Sequence, residues 1–259
     1  MNKKLGAIIL AAGKGKRMKL KNSNKVTVIL GDKPMILHSI RLLKRVGIKT
    51  IVVVVGFAKD SVKKIIKEDV MPAGRQVIFA EQAKRLGTAH AVVKAMQVLP
   101  KELKNVLVVY GDDTAFYKEQ TIRDLLKYHF EEKNAFTFLT LNVTDPTGLG
   151  RIIRDKNGKL RAIVEERDAT DGQRNIKEIN PGWYVFSVEF LNKYLRRIKK
   201  NPIKGEYYLT DLVDIAIKNN QKISAHNIGF TPWRGVNTHE DLNVAVSLYK
   251  KLNPDFSPS

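Results

Sequence analysis

Leu5-Gly6-Ala7-Ile8-Ile9-Leu10-Ala11-Ala12-Gly13-Lys14-Gly15-Lys16-Arg17-Met18 is the stretch on which the reading of this chain turns. The apolar run Leu5 to Leu10 reads as a strand, and it passes directly into a turn hinged on two glycines and carrying three cations. Glycine permits positive φ and close backbone approach, so the N–H groups of such a turn can converge on phosphate oxygens while Lys14, Lys16 and Arg17 neutralise charge. A short basic glycine turn after a strand is also a common surface feature, and both readings stand on this stretch alone. Two familiar signatures are missing: no Gly-Lys-Ser/Thr follows at Walker spacing, and Met18 stands where a dinucleotide fingerprint needs its third glycine.

Outward from this stretch, strand-like runs and helical patterns alternate over 5–10, 34–46, 50–55, 61–67, 77–80, 88–99, 106–110 and 121–129. That order predicts an α/β fold with a parallel sheet. In 34–46, Ile36, Leu37, Ile40, Leu43 and Val46 recur at helical spacing, with Pro34 suited to the first turn and Gly47 to the stop. From Ala135 the pattern changes to Phe136, Phe138 and Leu141, with Asn157-Gly158 as a hairpin turn and a further apolar run over 183–186, which predicts antiparallel additions. Thr238-His239-Glu240-Asp241 reads as a helix cap before Leu242, Val246 and Leu248, and places Asn237 just outside a helix start. No internal repeat or low-complexity linker interrupts the chain. The expectation is one domain over 1–252, with halves of about 1–134 and 135–252, and a frayed tail at 253–259.

At 259 residues, 43% hydrophobic and 28% charged, the composition is that of a folded globular protein. The absence of cysteine excludes a disulfide framework and a thiolate metal site and fits a reducing compartment, so a cytoplasmic location is expected. Lys3-Lys4 before Leu5 to Ala12 superficially resembles a secretion signal, yet the apolar stretch is short and runs straight into a basic segment. The run 51–55 is too short to span a bilayer and is closed by Gly56, so no membrane partner is expected. The formal charge of +20 calls for an anionic partner or a solvated basic surface. Clusters at 14–25, at Lys63-Lys64-Lys67 and at 196–200 could track a nucleic-acid backbone. Most of these side chains fall on polar helix faces without interleaved aromatics, which favours a solvated surface that attracts small phosphates over nucleic acid.

In doubly wound sheets the ligand lies beyond the carboxyl ends of the strands. The opening loop, Glu81-Gln82, Gly111-Asp112-Asp113 and Asn237 all follow such runs. A carboxylate at a strand end suits Mg²⁺, a hard ion that takes oxygen ligands together with substrate phosphates, and Asp112 is the leading candidate. The alternative is that Gly111-Asp112-Asp113-Thr114 is only a polar turn. Transition metals fit poorly, because His38, His90, His129, His226 and His239 are scattered without ligand spacing.

Taken together, Leu10 to Met18, Lys25-Val26, Gln82 five residues before Gly87-Thr88-Ala89-His90-Ala91, Tyr110-Gly111-Asp112, Gly148-Leu149-Gly150-Arg151-Ile152, Ile163-Val164-Glu165, Glu178-Ile179-Asn180, Gly205-Glu206-Tyr207-Tyr208-Leu209-Thr210-Asp211 and Gly235-Val236-Asn237 form a pattern that resembles the sugar-1-phosphate nucleotidyltransferases. Within that family the likeness is to the N-acetylglucosamine-1-phosphate uridylyltransferase domain of the bifunctional bacterial enzyme, a link that Asp168-Ala169-Thr170-Asp171 and Gln173-Arg174 strengthen. The resemblance covers almost the whole chain in order.

The resemblance implies a Rossmann-like, doubly wound mixed sheet of the GT-A-like kind with an antiparallel sugar-side addition. It implies UTP, or dTTP since thymine presents the same edge, and a sugar 1-phosphate as substrates, with Mg²⁺ held by Asp112 and Asn237. Arg17 and Lys25 would then be catalytic, stabilising the α-phosphate and the departing pyrophosphate. Leu10, Ala11, Ala12 and Gly13 would border the nucleotide; Gln82 would offer its amide oxygen and nitrogen to the base, with Gly87 and Thr88 completing that pocket. Gly150, Glu165, Asn180, Tyr208 and Thr210 would face the sugar phosphate. The substrate itself supplies the nucleophile, so alignment and charge neutralisation carry the chemistry.

Several positions depart from the family pattern. Asn24 stands where a proline usually precedes the lysine, Asp113-Thr114 replaces an apolar-proline pair, and Pro181-Gly182-Trp183-Tyr184 replaces a threonine-glycine-aliphatic run. Trp183 turned toward the pocket would exclude an N-acetyl group or stack on the pyranose. The chain stops shortly after its last helix, and no acetyl transfer is expected of it. Sugar identity and oligomeric state stay open, as do two alternatives: uridylyl or thymidylyl transfer to glucose 1-phosphate or another sugar 1-phosphate, and a non-catalytic nucleotide- or RNA-binding module.

Overall fold

The structure, a computed structural model, describes residues 4–70, 77–112 and 114–254. Asp113 and residues 255–259 of the expected tail lie outside the described residues. The chain runs through β1 (Leu5–Ala11), a small hairpin of β2 (Ile29–Leu30) and β3 (Lys33–Pro34), α1 (Met35–Arg45), β4 (Thr50–Val55), α2 (Lys59–Asp69), β5 (Val77–Glu81), α3 (Thr88–Met96), β6 (Asn105–Tyr110) and α4 (Glu119–Glu131). It continues through β7 (Phe136–Asn142), β8 (Gly150–Arg154), β9 (Leu160–Val164), α5 (Asp171–Arg174), β10 (Glu178–Asn180), β11 (Trp183–Ser187), α6 (Val188–Tyr194), α7 (Leu212–Lys218), β12 (Ile223–Phe230) and α8 (His239–Leu252).

One ten-stranded sheet in the order β5-β4-β1-β6-β11-β7-β10-β8-β9 holds both halves, with β12 pairing to β7. The four strands of the first half are parallel, as the alternation predicts, and β11 joins them antiparallel to β6, from Trp183 opposite Val109 to Ser187 opposite Asn105. β12 runs parallel to β7, and the remaining pairings of the second half are antiparallel.

The period-two alternation of the strands sorts the helices onto two faces. Ala7 and Ile9 of β1, Ile51 and Val53 of β4 and Leu107 and Val109 of β6 pack with α1, α2 and α4. Ile8, Val52, Val54, Val106 and Val108 pack on the other side with α3, α6 and α7. A third, smaller cluster joins Met18 of the opening turn and Leu30 of β2 to Val236, Ala245 and Tyr249 at α8.

Several boundaries move from their sequence expectation. Pro34 belongs to β3 and sits at the N-cap of α1 with ψ 139°, one residue before the helix starts. Gly47, at φ +85°, ends that helix as expected. The expected helix 88–99 stops at Met96, whereas those at 61–67 and 121–129 extend at both ends. The Asn157-Gly158 turn joins β8 to β9, with Asp155 Oδ1 accepting from the N–H groups of Asn157 and Lys159 at 2.9 Å each. Among the described residues, no helix is long and apolar enough to cross a membrane.

Candidate active site

A cleft of about 1070 Å³ opens at the carboxyl ends of β1 and β6 and extends over the second half of the sheet. Its floor starts where β1 ends. Gly15, at φ +57°, turns the chain into a short 3₁₀ turn over Lys16–Met18, and Met18 is drawn into the third core cluster with 1% exposure. Burial of Met18 on one side leaves Lys14, Lys16 and Arg17 lining the cleft on the other. His239 Nε2 lies 3.0 Å from the Met18 carbonyl, tying this turn to the start of α8.

Lys25 follows on a second 3₁₀ turn, Lys25–Thr27, whose N-cap is Asn24. The Lys25 ammonium pairs with Asp112, just past β6, and also donates to Asn237 Oδ1 at 3.0 Å, across 212 residues of sequence. Asn237 is fixed from behind: its N–H donates to Asp241 Oδ2 at 2.9 Å, and Asp241 completes the α8 capping box with Thr238 while Arg234 Nε holds it at 3.0 Å. Arg234 and those backbone N–H groups outweigh burial and hold the Asp241 carboxyl below its ordinary value.

One cationic group thus touches both the carboxylate of Asp112 and the amide oxygen of Asn237. These are two hard oxygen donors converging on one charge, the donor chemistry that Mg²⁺ takes. Among the described residues there is no cluster of three or more His, Asp or Glu that would hold a metal by itself, so phosphate oxygens and water would complete the coordination.

At the far side of β1 one end of the cleft is built around Gln82, which is 4% exposed. Its backbone N–H donates to the Val55 carbonyl at 2.8 Å, and its Nε2 lies 2.9 Å from Gly87 O and 3.0 Å from His90 Nδ1. Burial, with Lys94 nearby, lowers the His90 pKa. With the His90 proton on Nε2, Nδ1 accepts, both Gln82 amide hydrogens are spent inside the protein, and the Gln82 oxygen is the atom left to meet a ligand. Gly87 sits at φ +98° with the Tyr207 carbonyl 2.4 Å from where a Cβ would stand, so this close crossing admits only glycine. Thr88 Oγ1 accepts from the Leu209 N–H at 2.9 Å, which docks the 207–211 segment on α3.

The second half supplies Gly150, Glu165 and Asn180 to the opposite wall. Asn180 is held by both ends: Nδ2 donates to the Tyr184 hydroxyl at 2.6 Å and Oδ1 accepts from Gly182 N–H at 3.1 Å. Burial raises the Glu165 carboxyl above its ordinary value, opposed by Arg167 and by the Thr210 hydroxyl 3.5 Å away.

Residues 6–251 match the family model for nucleotidyl transferases. The chain belongs to the nucleotidyl transferase family. It is 46% identical over 247 residues to the bifunctional protein GlmU of Caldicellulosiruptor saccharolyticus, covering 95% of this chain and 52% of that protein. It is 41% identical over 247 residues, with the same shares, to the protein of that name from Thermoanaerobacter pseudethanolicus. The chain thus spans about half the length of the curated relatives it matches. Its fold is shared with a Bacillus anthracis protein provisionally assigned as a glucose-1-phosphate thymidylyltransferase and solved with sucrose, at TM-score 0.80, 23% identity and 96% coverage of both chains.

In this nucleotidyl transferase, most of the positions singled out from sequence line one cleft: Leu10, Ala11, Ala12, Gly13, Arg17, Lys25, Gln82, Gly87, Thr88, Asp112, Gly150, Glu165, Asn180 and Asn237. Tyr208 and Thr210 do not. The 3₁₀ turn Leu209–Asp211 rotates Thr210 into the protein behind Glu165, and the Tyr208 hydroxyl is buried. Glu81, flagged together with Gln82, ends β5 on the rim and pairs with Lys59 at 2.8 Å. Trp183 is fully buried on the opposite sheet face, its ring 5.1 Å from that of Tyr117, so it neither excludes an N-acetyl group nor stacks on a sugar. Strand alternation explains this: Tyr184, one residue on, is the aromatic that supports the cleft.

Sequence reasoning missed Arg85, Ile203, Lys204 and Trp233, which also line the cleft. Lys204 sits one residue before the quoted Gly205-Glu206 motif and Arg85 three after Gln82, so proximity to a motif was the available signal.

Proposed function

We propose that this chain transfers a nucleoside monophosphate from UTP or dTTP to a sugar 1-phosphate, N-acetylglucosamine 1-phosphate foremost, releasing pyrophosphate and using Mg²⁺ at Asp112 and Asn237. The observation that carries this reading is the convergence of Lys25, Asp112 and Asn237 beside a glycine turn that presents Lys14, Lys16 and Arg17 to the same cleft. The likeness to the GlmU proteins supports the choice of sugar.

In this reading an oxygen of the sugar 1-phosphate attacks the α-phosphorus in line, the bond to the β-phosphate oxygen breaks, and no covalent enzyme intermediate forms. Asp112 and Asn237 would hold Mg²⁺, which would supply charge neutralisation on the phosphate oxygens. Lys25 would offer its ammonium to the phosphates, and Arg17 would neutralise the charge that builds on the leaving pyrophosphate. The Gln82 oxygen accepts from the N3–H of uracil or thymine, and cytosine, whose N3 is itself an acceptor, is rejected. Glu165 and Asn180 orient the sugar from the opposite wall.

Pyrophosphate release measured across UTP, dTTP, CTP and ATP against N-acetylglucosamine, glucose and galactose 1-phosphates tests this. Turnover is expected with UTP or dTTP and a hexosamine phosphate, and not with CTP. Release with glucose 1-phosphate alone would move the assignment to that sugar. No release with any pair, combined with salt-sensitive RNA binding, would replace the enzyme with a nucleic-acid-binding module.

A further inference from the structure

We propose that Asn24 is a positioning residue whose carboxamide shapes the first loop into an anion receptor, a role that rests on the triphosphate reading above. Asn24 is 1% exposed. Its Nδ2 lies 3.0 Å from the Ala11 carbonyl, 3.1 Å from that of Gly13 and 2.8 Å from that of Phe57. Its Oδ1 accepts from the Val26 N–H at 3.1 Å, which opens the turn that carries Lys25. One amide group therefore links the end of β1, the glycine loop, the segment after β4 and the Lys25 turn.

The orientation of this amide is dictated by its partners. Flipping it would set an oxygen against three carbonyls and an NH₂ against an N–H, leaving buried groups unpaired. The consequence for an anion is electrostatic. A phosphate oxygen is repelled by carbonyl oxygens, and Asn24 draws those of Ala11 and Gly13 to itself. Across a planar trans peptide the N–H points opposite to the C=O, so capture of the Gly13 carbonyl aims the Lys14 N–H the other way. A Cβ built on Gly13 meets nothing within 4 Å, so the loop is not fixed there by packing. The hydrogen bonds of Asn24 do that work. A proline at this position fits the local backbone, φ −81° and ψ 149°, but offers no amide to the loop.

The test compares wild type with Asn24→Asp, which keeps the shape and loses the donor, with Asn24→Ala, and with Ser61→Ala. The last removes the acceptor of the Asn24 backbone N–H, at 3.1 Å, and the hydroxyl's own bond to the Ala58 carbonyl, at 2.7 Å, and leaves the Asn24 carboxamide in place. Hydrogen exchange of the Phe57 N–H, which donates to the loop carbonyl of Ala12 at 3.1 Å, is followed without ligand, and calorimetry measures affinity for UTP with Mg²⁺. In both Asn24 variants this loop bond is expected to lose protection, with UTP affinity falling about 10- to 100-fold, the loss of one to two charge-relevant hydrogen bonds. The KM for sugar 1-phosphate is expected to stay within about twofold, because its wall is built by other residues. Ser61→Ala is expected to match wild type in UTP affinity. Asn24→Asp alone is expected to regain affinity as pH falls, because its protonated carboxyl can donate again.

Unchanged loop protection and UTP affinity in folded Asn24→Asp would overturn the proposal, as would equal losses for both substrates or an equal effect of Ser61→Ala. If wild type binds no triphosphate while the exchange pattern follows the prediction, the loop-shaping role stands and the functional reading falls.

Discussion

At the residue scale, the Lys25 ammonium rests on Asp112 and Asn237, the two oxygens that the proposed Mg²⁺ would take, so a divalent ion there would compete with it. Asp112→Asn should weaken Mg²⁺ binding at least about tenfold and cut turnover further, with the fold intact, since the isostere keeps the shape and loses the charge. Magnesium titrations of the purified variant, read by calorimetry and by pyrophosphate release, check both parts. Arg17 is exposed and lines the cleft, so its removal leaves no hole in the core. Arg17→Ala is expected to lower kcat on the order of 100-fold with little change in melting temperature, as for other donors aimed at developing charge. A steady-state comparison at saturating substrates measures this. Asp112 and Asn237 were legible in the sequence because each directly follows an apolar run or precedes a capping box. The task of Asn24 was not, because its three carbonyl partners come from separate turns that only the fold brings together.

At the scale of elements, alternation did most of the reading, and its failures are instructive. The four parallel strands and their flanking helices follow from runs such as 50–55 and from the spacing in α1. The hairpin of β2 and β3 escaped notice because two-residue strands are too short to show a period. Trp183 shows the opposite error. Its position close to Asn180 in sequence suggested a pocket residue, whereas one step of strand alternation puts it in the core, and only its phase relative to Asn180 could have told. Trp183→Ala should therefore destabilise the protein by about 3–5 kcal/mol through the cavity it leaves, with no change in the ranking of sugar phosphates. Urea unfolding gives the first quantity and the pyrophosphate assay the second.

For the molecule as a whole, the excess of positive charge does not extend to the ground around Asp211 and Glu165, where carboxylates crowd. Burial, and then Glu165, Asp214 and Asp168, push the Asp211 carboxyl up to about 6. The free side chain titrates at 3.8, so between these values the folded protein holds a proton that the unfolded chain has released. That contribution to stability is present at low pH and is lost as pH rises through about 6. Asp211→Asn should thus gain about 1 kcal/mol over wild type at pH 8 and almost nothing at pH 4, the gain reduced because the group is partly solvated. Denaturant melts at the two pH values show the difference directly.

The ladder between β6 and β11 has a consequence for how such a molecule can work. Because Asn105 to Val109 and Trp183 to Ser187 knit the first half of the chain to the second as neighbouring strands, the two walls cannot swing apart like jaws. Loading and release must be accommodated at the rims, around residues 14–17 and 203–206, over an unmoving frame. Scattering curves recorded with and without both substrates should then superimpose, however fast the catalyst turns.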